Sequence, residues 1–550
     1  MESQRNLLLI ALLVVSYLLF EQWQVAHAPA APQTTTIEAN KQESSNATSD
    51  DFIPESNDQL ENSSVPDETT TLATLIEVKT DVLVIKINTQ GGDVVEAQLL
   101  KYDTELNNGI PFKLLQNGQF KHIAQSGLTG SNGLDNKKSR PIYQTKSNHY
   151  QFINDQQELI VDLVYSGDNS LTVTKRFTFS RDGYSIKVDY IIKNNMTTNA
   201  SVQFYAQLRQ TVDIPKSSSM MPTSAYRGAA YSTSEDLYEK YDFDDIKDQS
   251  LNMVTKGGWV AMIQHYFVSA WVPQQDSENR LYSSYTNKGD AIIGFKAPVL
   301  TIKPNSEQTT SAILYVGPKD QDQMAKLAEG LDLTIDYGFL WMISQPLFWL
   351  LLQIHSLVGN WGIAIIVITL IVKGGMYPLT KVQYTSMAKM RELQPKIAAL
   401  KERFGDDRQK MSKAMMDMYK KEKVNPAGGC LPLLLQMPIF LALYWVFLES
   451  VELRHAPFML WIQDLSAKDP YYILPILMGI SMYVMQKMQP MTIQDPLQQK
   501  MMQYMPVFFT IFFFWFPSGL VLYWLVSNII SIVQMKIIFA GIDKQKKAKE

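Results

Sequence analysis

Lys373 is a charged residue within an otherwise apolar segment of this 550-residue chain. The next charged residue, Lys381, follows eight positions later, so in a helix that crosses a membrane Lys373 lies about 12 Å deeper. An ammonium group at the centre of a bilayer costs about 2.5–3.5 kcal/mol on insertion scales and therefore needs water or a polar partner. Thr369 falls four residues earlier, on the same helical face. The pair favours a cationic binding site, and a lysine that reaches the headgroups is the alternative.

Two later apolar segments also carry polar side chains. Gln436 lies between two prolines in one of them. The last apolar segment has a polar stripe that begins beside Trp524 and recurs at helical spacing. Its members are Ser527, Asn528, Ser531 and Gln534. These residues predict a polar cavity in the inner leaflet, closed on the outer side by apolar residues. Hydrogen bonding between helices is the alternative explanation of the stripe.

The residue patterns give no sign of catalysis or of a metal site. Residues 71–330 contain no nucleophile motif, paired-carboxylate signature or glycine-rich phosphate loop, and the chain has no nucleotide motif. Cys430 is the single cysteine, which excludes an intrachain disulfide, and the six histidines lack ligand spacing. We therefore expect a protein that is not an enzyme and that needs no cofactor and no metal.

The distribution of charge divides the chain into two parts. Residues 341–550 contain 22 Lys and Arg against 13 Asp and Glu, whereas residues 1–340 contain 28 against 41. An acidic polar part joined to a basic part with long apolar runs is typical of an exported domain attached to a membrane domain. The apolar runs exclude a wholly soluble chain.

Six apolar segments are candidate membrane spans. The first, residues 7–20, reaches about 17 residues with Trp23 as an interfacial anchor, the lower limit for crossing. Residues 26–28 resemble a signal-peptidase site, but Pro29 should hinder cleavage, so residues 1–23 are predicted to be an uncleaved anchor rather than a removed signal peptide. The other candidates are 357–379, 427–448, 471–486, 501–516 and 520–540.

Basic loops predict the orientation of these spans. Residues 381–423 contain 12 Lys and Arg against 6 Asp and Glu, and the tail, residues 541–550, contains four lysines. Because cytoplasmic loops are enriched in basic residues, both segments should be cytoplasmic. Six spans with both termini in the cytoplasm satisfy every loop. The acidic part then lies outside, in the periplasm of a Gram-negative cell.

The remaining segments have their own patterns. Residues 24–70 are polar and predict a disordered tether, whereas residues 71–330 show period-two β segments typical of a large β-sandwich. That domain should be a scaffold or a partner-docking domain, with carbohydrate binding as the alternative. Residues 331–356 predict an interfacial amphipathic helix. Residues 381–424 predict a helical hairpin with a methionine-rich face, either a mobile flap for apolar segments or a stable two-helix coiled coil.

Several motifs in the C-terminal half resemble those of a known family. They are MYPLT (376–380), YTSMAKM (384–390), VNP (424–426), GGC (428–430), QMPIF (436–440), DPYYILP (469–475) and FPSGL (516–520), together with SQRNL (3–7) near the start. They are similar to motifs of the YidC membrane protein insertases, and the resemblance covers the whole chain. It is to the Gram-negative form, which implies a polytopic α-helical membrane protein of six spans with a large periplasmic all-β super-sandwich domain.

The resemblance also implies a function. Such a protein receives nascent inner-membrane proteins in a hydrophilic groove open to the cytoplasm and to lipid, and releases their hydrophobic segments into the bilayer. It acts alone or with the Sec translocon, and its partners include the ribosome, the signal-recognition route and the phospholipid bilayer. The implied location is the bacterial inner membrane, with residues 357–540 as a five-span insertase core.

Particular residues match the family's functional positions. Lys373 stands where the family commonly has an arginine, Gln436 matches the groove glutamine, and Trp524 matches an aromatic residue of the last span. With Thr369, Ser527 and Asn528 they form the predicted groove. The predicted hydrophobic slide comprises Met437, Phe440 and Phe512. A secondary transporter would also allow six spans and an intramembrane lysine, but paired repeat halves are lacking.

Overall fold

The computed structural model describes residues 52–55 and 73–547, apart from 137–138, 154, 168–169, 214–225, 405–406, 423–430 and 490–495. The predicted anchor at residues 1–23 lies outside the described residues. So do most of the predicted tether and the last residues of the basic tail.

The first large unit is all-β, as the sequence predicts. Its strands are β1 (Leu75–Lys79), β2 (Leu83–Asn88), β3 (Asp93–Asp103), β4 (Pro111–Asn117), β5 (Lys121–Thr129), β6 (His149–Gln151), β7 (Glu158–Ser166), β8 (Leu171–Ser180), β9 (Ser185–Asn194), β10 (Ala200–Thr211), β11 (Gly228–Ser232), β12 (Glu239–Tyr241), β13 (Asn252–Lys256), β14 (Trp259–Ile263), β15 (Phe267–Pro273), β16 (Glu278–Tyr285), β17 (Asp290–Ile302) and β18 (Glu307–Pro318). A short helix, α1 (Phe243–Asp248), lies between β12 and β13.

The strands form two sheets. One has ten strands in the order β13-β16-β17-β10-β5-β4-β3-β2-β1-β6, and the other has eight in the order β12-β11-β14-β15-β18-β9-β8-β7. The pairings between these strands are antiparallel except β1 with β6. Buried and half-buried residues alternate along β8, which is the pattern of a strand with one face in the core. The two sheets enclose a common apolar core.

The C-terminal half is helical. Its helices are α2 (Gln321–Leu327), α3 (Trp341–Val358), α4 (Trp361–Gly375), α5 (Tyr377–Glu392), α6 (Gln394–Phe404), α7 (Arg408–Lys421), α8 (Leu431–Glu449), α9 (Ile473–Met488), α10 (Pro496–Phe512) and α11 (Ser518–Lys547). Within the described ranges, α3 and α11 are long and apolar enough to cross a membrane, and α4 with α5 would add a third span if that pair, bent by 66°, counts as one. Helix α9 and part of α8 are shorter apolar helices.

The boundaries of two predicted segments are wrong. The predicted span 357–379 contains the end of α3, all of α4 and the start of α5. Helix α3 ends at Gly359, which adopts a left-handed φ of 67°. The Asn360 side chain caps α4 by accepting a hydrogen bond from the Ile363 amide. The predicted interfacial helix 331–356 is helical only from Trp341, after two short 3₁₀ turns. By length and composition that helix also qualifies as a span.

The predicted cytoplasmic hairpin, residues 381–424, contains most of α5 together with α6 and α7, and α6 packs against α7. Leu393 and Met390 are buried, and Ile397, Met418 and Tyr419 pack against them. Lys396 donates to Glu422 at 2.6 Å across the pair. Part of the apolar face predicted from the methionine and leucine spacing is therefore buried where the end of α5 and the start of α6 pack against α7.

The β unit is attached to the helices by polar contacts, one of which is buried. Lys319 pairs with Glu449 at the end of α8 at 3.0 Å, and both side chains are almost fully buried. His265 approaches the Leu448 carbonyl at 2.8 Å. Arg454, which follows α8, donates to the carbonyls of Asp103 and Thr104 at the end of β3. These contacts hold the sandwich against the C-terminal end of α8.

Candidate functional site

Three helices meet at Lys373. The residue lies near the end of α4, is only 6% exposed, and directs its ammonium group towards the other helices. Its Nζ donates to Oε1 of Gln436 on α8 at 3.3 Å and to Oγ of Ser531 on α11 at 3.1 Å. The structure therefore brings together two residues predicted from sequence, Lys373 and Gln436, and adds Ser531 from the polar stripe.

The partners of the ammonium group are neutral. Within the part of the chain that the structure describes, Lys373 bonds to an amide oxygen and a hydroxyl, and no carboxylate forms an ion pair with it. A buried positive charge without an opposite charge is costly, and an incoming carboxylate would relieve that cost. The arrangement can thus bind an acidic group without first breaking a salt bridge.

The other predicted groove residues have different surroundings. Thr369 is fully buried, and its hydroxyl donates to the Ile365 carbonyl within α4 at 2.6 Å. Asn528 donates to Oγ of Ser481 on α9 at 3.0 Å, so the predicted alternative, a hydrogen bond between helices, is observed for this residue. Ser527 is half-buried on α11.

Besides Ser531, two further polar residues of the site were absent from the predicted groove. Gln534 donates to the backbone carbonyl of Lys373 at 3.3 Å and so ties α11 to α4. Its place in the polar stripe was the signal available in the sequence. Ser481 bonds to Asn528 but stands alone in an apolar segment. A single serine in an apolar segment does not indicate which other helix it contacts.

Aromatic rings lie on α8 and α11, the two helices that supply the hydrogen-bond partners of Lys373. Phe440 lies edge-on to Trp524 with ring centroids 4.5 Å apart. Phe513 and Phe509 also approach Trp524, at 5.0 and 6.3 Å. Two predicted residues, Phe440 of the slide and Trp524 of the groove, are therefore in contact.

The remaining slide residues lie on α8 and α10. Met437 follows Gln436 and is 45% exposed. Phe512 lies on α10, 5.8 Å from Phe513 and 4.9 Å from Phe516 between ring centroids. It reaches the Trp524 cluster through Phe513. The aromatic run at residues 508–516 was the sequence signal for Phe509 and Phe513, which were not in the predicted slide.

The sandwich contains one arrangement that resembles a catalytic pair. His122 Nε2 lies 2.9 Å from Oγ of Ser269. Both residues are buried, and desolvation lowers the pKa of His122 to about 4. A substrate cannot reach this pair, so it is structural. Within the described ranges no group of three or more His, Cys, Asp and Glu side chains could hold a metal ion.

Two protein families match the chain. The family described as the YidC periplasmic domain matches residues 75–350, and the family described as the 60Kd inner membrane protein matches residues 353–546. The membrane protein insertase YidC of Shewanella frigidimarina is 54% identical over 547 residues, and that of Aeromonas hydrophila is 53% identical over 552 residues; each comparison covers 99% of both chains. A solved structure of an active YidC insertase with its first transmembrane domain resolved has 21% identity and a TM-score of 0.37, covering 86% of this chain and 93% of that one.

Proposed function

The chain belongs to the family of YidC membrane protein insertases, and from that premise we propose that the pocket around Lys373 is where it receives the segments it inserts. The protein is a membrane insertase and chaperone for nascent inner-membrane proteins rather than an enzyme. The observation that carries the proposal is the buried ammonium group, which is held by neutral side chains of two other helices.

The groove binds the polar flank of a client. Lys373 attracts an acidic residue there, and Gln436 and Ser531 offer the hydrogen bonds that the flank loses when it leaves water. With Thr369, Ser527 and Asn528 they make up the polar walls. Buried polar groups need such partners, because an unsatisfied one costs about 1–3 kcal/mol.

The apolar segment of the client moves along the slide into lipid. Met437 is exposed beside the groove, and Phe440 continues the surface towards Trp524. Phe512 extends it on α10. Partition of about 20 apolar residues into the bilayer drives the step. The membrane potential adds about 2.3 kcal/mol per 100 mV for each negative charge that crosses to the outside.

In our proposal the groove opens towards the cytoplasm. The family is one of inner-membrane proteins with a periplasmic domain, which here is the two-sheet sandwich. The finer arrangement is part of our proposal: six spans, both termini in the cytoplasm, an uncleaved anchor at residues 1–23 and α3 along the outer interface. The excess of basic residues at 381–423 and in the tail supports it.

The partners follow from the same proposal. Nascent membrane proteins are the clients and the phospholipid bilayer receives them. The Sec translocon, the ribosome and the signal-recognition route are proposed partners. The basic hairpin of α6 and α7 faces the cytoplasm in this arrangement, where such partners approach.

The charge of Lys373 provides the central test. We expect Lys373→Ala to slow insertion of a single-span client with an acidic translocated flank by at least about ten-fold, because one charge-assisted contact is worth about 1.5–3 kcal/mol. Lys373→Glu should slow insertion further than Lys373→Ala, since its carboxylate repels the acidic flank. Lys373→Arg should retain most of the insertion activity. Protease protection of the client's flank measures insertion.

Two controls accompany this test. Lys381→Ala removes a charge of the same sign from an exposed position one helix later and should leave insertion unchanged. A client with a neutral flank should respond less to Lys373→Glu than the acidic one. Equal insertion of the acidic client by wild type, Lys373→Ala and Lys373→Glu would remove the groove charge from the mechanism.

A further inference from the structure

Residues 52–55 lie against the ten-stranded sheet although they belong to the segment predicted as a disordered tether. Ile53 is only 6% exposed and Pro54 is buried. The Phe52 ring lies 6.4 Å from the ring of Tyr282 on β16. Four residues that precede β1 by about twenty positions are thus packed on the folded domain.

The contacted surface is a row of residues across neighbouring strands. Tyr282 on β16 is directly opposite Gly294 on β17, Gly294 is opposite Gln207 on β10, and Gln207 is opposite Gln125 on β5. Ser126, next to Gln125 on its strand, contacts Tyr190 of the eight-stranded sheet. Since successive side chains of a strand point to opposite faces, the row lies on the face turned away from that sheet.

Gly294 gives the row its shape. A Cβ atom there would lie 2.8 Å from Cζ of Tyr282 and 2.7 Å from Cβ of Gln207. The absent side chain lets the tyrosine ring lie across β17, where its hydroxyl donates to Oε1 of Gln207 at 2.7 Å. The result is an aromatic platform with an amide beside it.

The surface holds residues 52–55 through backbone atoms. Nε2 of Gln207 donates to the Phe52 carbonyl at 2.9 Å, and Nζ of Lys296 donates to the Glu55 carbonyl at 2.6 Å. Apolar side chains between these two bonds are buried. Main-chain hydrogen bonds with pockets for side chains are the usual way in which proteins recognise extended peptides.

The surface is also complete without the segment. Gln207 keeps its bonds to Gln125 at 3.0 Å and to Tyr282. Lys296 lies over the Tyr282 ring, 5.8 Å from its centroid. Because these contacts hold the recognition groups in place, departure of residues 52–55 would leave a formed site.

We propose that this surface is a peptide-binding site, and that its resident ligand is the chain's own segment, residues 52–55, held exchangeably. The ligand class is an extended peptide in which an aromatic and a branched apolar residue precede proline. Docking of residues 52–55 also shortens the stretch of chain that links the first apolar segment to the sandwich. A fully extended chain spans at most about 110 Å from Phe20 to Phe52, against about 190 Å from Phe20 to Leu75.

Cysteine labelling of the full-length protein tests the proposal. In a Cys430→Ser background, Ile53→Cys reports on the docked segment, and Leu75→Cys, at a position 55% exposed, is the reference. We expect maleimide to label position 53 about ten-fold more slowly than position 75, a protection that corresponds to a mostly docked segment. A peptide copying residues 49–58 should raise the rate at position 53, and a scrambled peptide should not.

A variant of the surface completes the experiment. Lys296→Ala removes the donor to the Glu55 carbonyl at a half-buried position and should raise the rate at position 53 without changing the rate at position 75. Equal rates at positions 53 and 75 in the parent would show that the segment is not docked. Slow labelling at position 53 that neither the peptide nor Lys296→Ala changes would make it a fixed part of the fold and overturn the proposal.

Discussion

The lysine at position 373 determines how the groove can hold an acidic group. An ammonium group has three donors and no planar fork, so it bonds a carboxylate as a point charge rather than in a bidentate pair. Gln436 and Ser531 accept two of its three donors. Among the described residues the third donor has no acceptor, and in the proposed mechanism it binds and releases a client's carboxylate through a single contact.

His122 provides a test of the sandwich at the residue scale. Desolvation lowers its pKa to about 4 from an ordinary value of 6.5, so the folded state holds it neutral. As the pH falls from about 6.5 to 4, the unfolded state takes up a proton that the folded state does not. The free energy of unfolding therefore falls by up to about 3 kcal/mol. We expect His122→Gln to reduce the fall in melting temperature over this pH range. Circular dichroism of the β-sheet signal during heating measures the melting temperature.

The exposed His149 is the matched control. It lies on edge strand β6 with a side chain 81% exposed, so His149→Gln should leave the pH profile as in wild type. An unchanged profile in His122→Gln would show that other groups cause the loss of stability in acid.

The sequence predicts the centre of the site better than its periphery. Lys373 and Gln436 stand out because charged and amide side chains are rare in apolar segments. Each needs a polar partner inside the membrane, and the hydrogen bond between them supplies one for both. Ser481 could not be predicted, because serine is common in such helices and its bond to Asn528 depends on how α9 packs on α11. Nothing in the local sequence of residues 52–55 marks their partner, which is formed by strands far along the chain.

At the scale of helices, Gly479 sets the distance between α9 and α10. A Cβ atom at this position would lie 1.8 Å from Oγ1 of Thr510 on α10, whose hydroxyl donates to the Pro506 carbonyl. We expect Gly479→Ala to destabilise the protein by about 1–3 kcal/mol through overpacking, although alanine favours helix. Insertion should fall as well, because α10 carries Phe512. Thermal unfolding in lipid nanodiscs and the protease-protection assay measure both effects.

Two variants make this test specific. Gly541→Ala changes a glycine of α11 that has no neighbour within 4 Å of the added atom, and it should be neutral or slightly stabilising. Thr510→Ala combined with Gly479→Ala removes the atom that clashes and should recover part of the loss. If Gly479→Ala behaves like Gly541→Ala, the two helices have room to move apart and the close contact is not required.

The ends of the helices and the order of the strands are features that sequence patterns did not predict. The apolar run at 357–379 is continuous, so hydropathy alone cannot detect that the backbone turns at Gly359 and starts a new helix after Asn360. The alternation that predicts strands is local, and it identified an all-β domain. The order of eighteen strands in two sheets depends on long-range pairing, which no short pattern contains.

At the scale of the whole molecule, the buried pair of Lys319 and Glu449 joins the sandwich to the helices. We expect Lys319→Met alone to cost about 3–5 kcal/mol, because it leaves the Glu449 carboxylate buried without its partner. Lys319→Met with Glu449→Leu should recover most of that loss. Thermal unfolding of the full-length protein, with limited proteolysis between the two units, measures the change.

An exposed ion pair serves as the comparison. Lys101 and Asp182 are 3.3 Å apart with side chains 56% and 67% exposed, so Lys101→Met should cost less than about 1 kcal/mol. Equal effects of Lys319→Met and Lys101→Met would show that water reaches Glu449 and that the junction does not depend on this pair.

The neutral partners of Lys373 have a consequence for repeated use. In the proposed mechanism, Gln436 and Ser531 keep their hydrogen bonds to the ammonium group while its third donor holds a client's carboxylate. No covalent intermediate has to be resolved and no counter-ion has to be recruited before the next round. We therefore expect the resting arrangement of Lys373 to need no rebuilding once the client has left the groove.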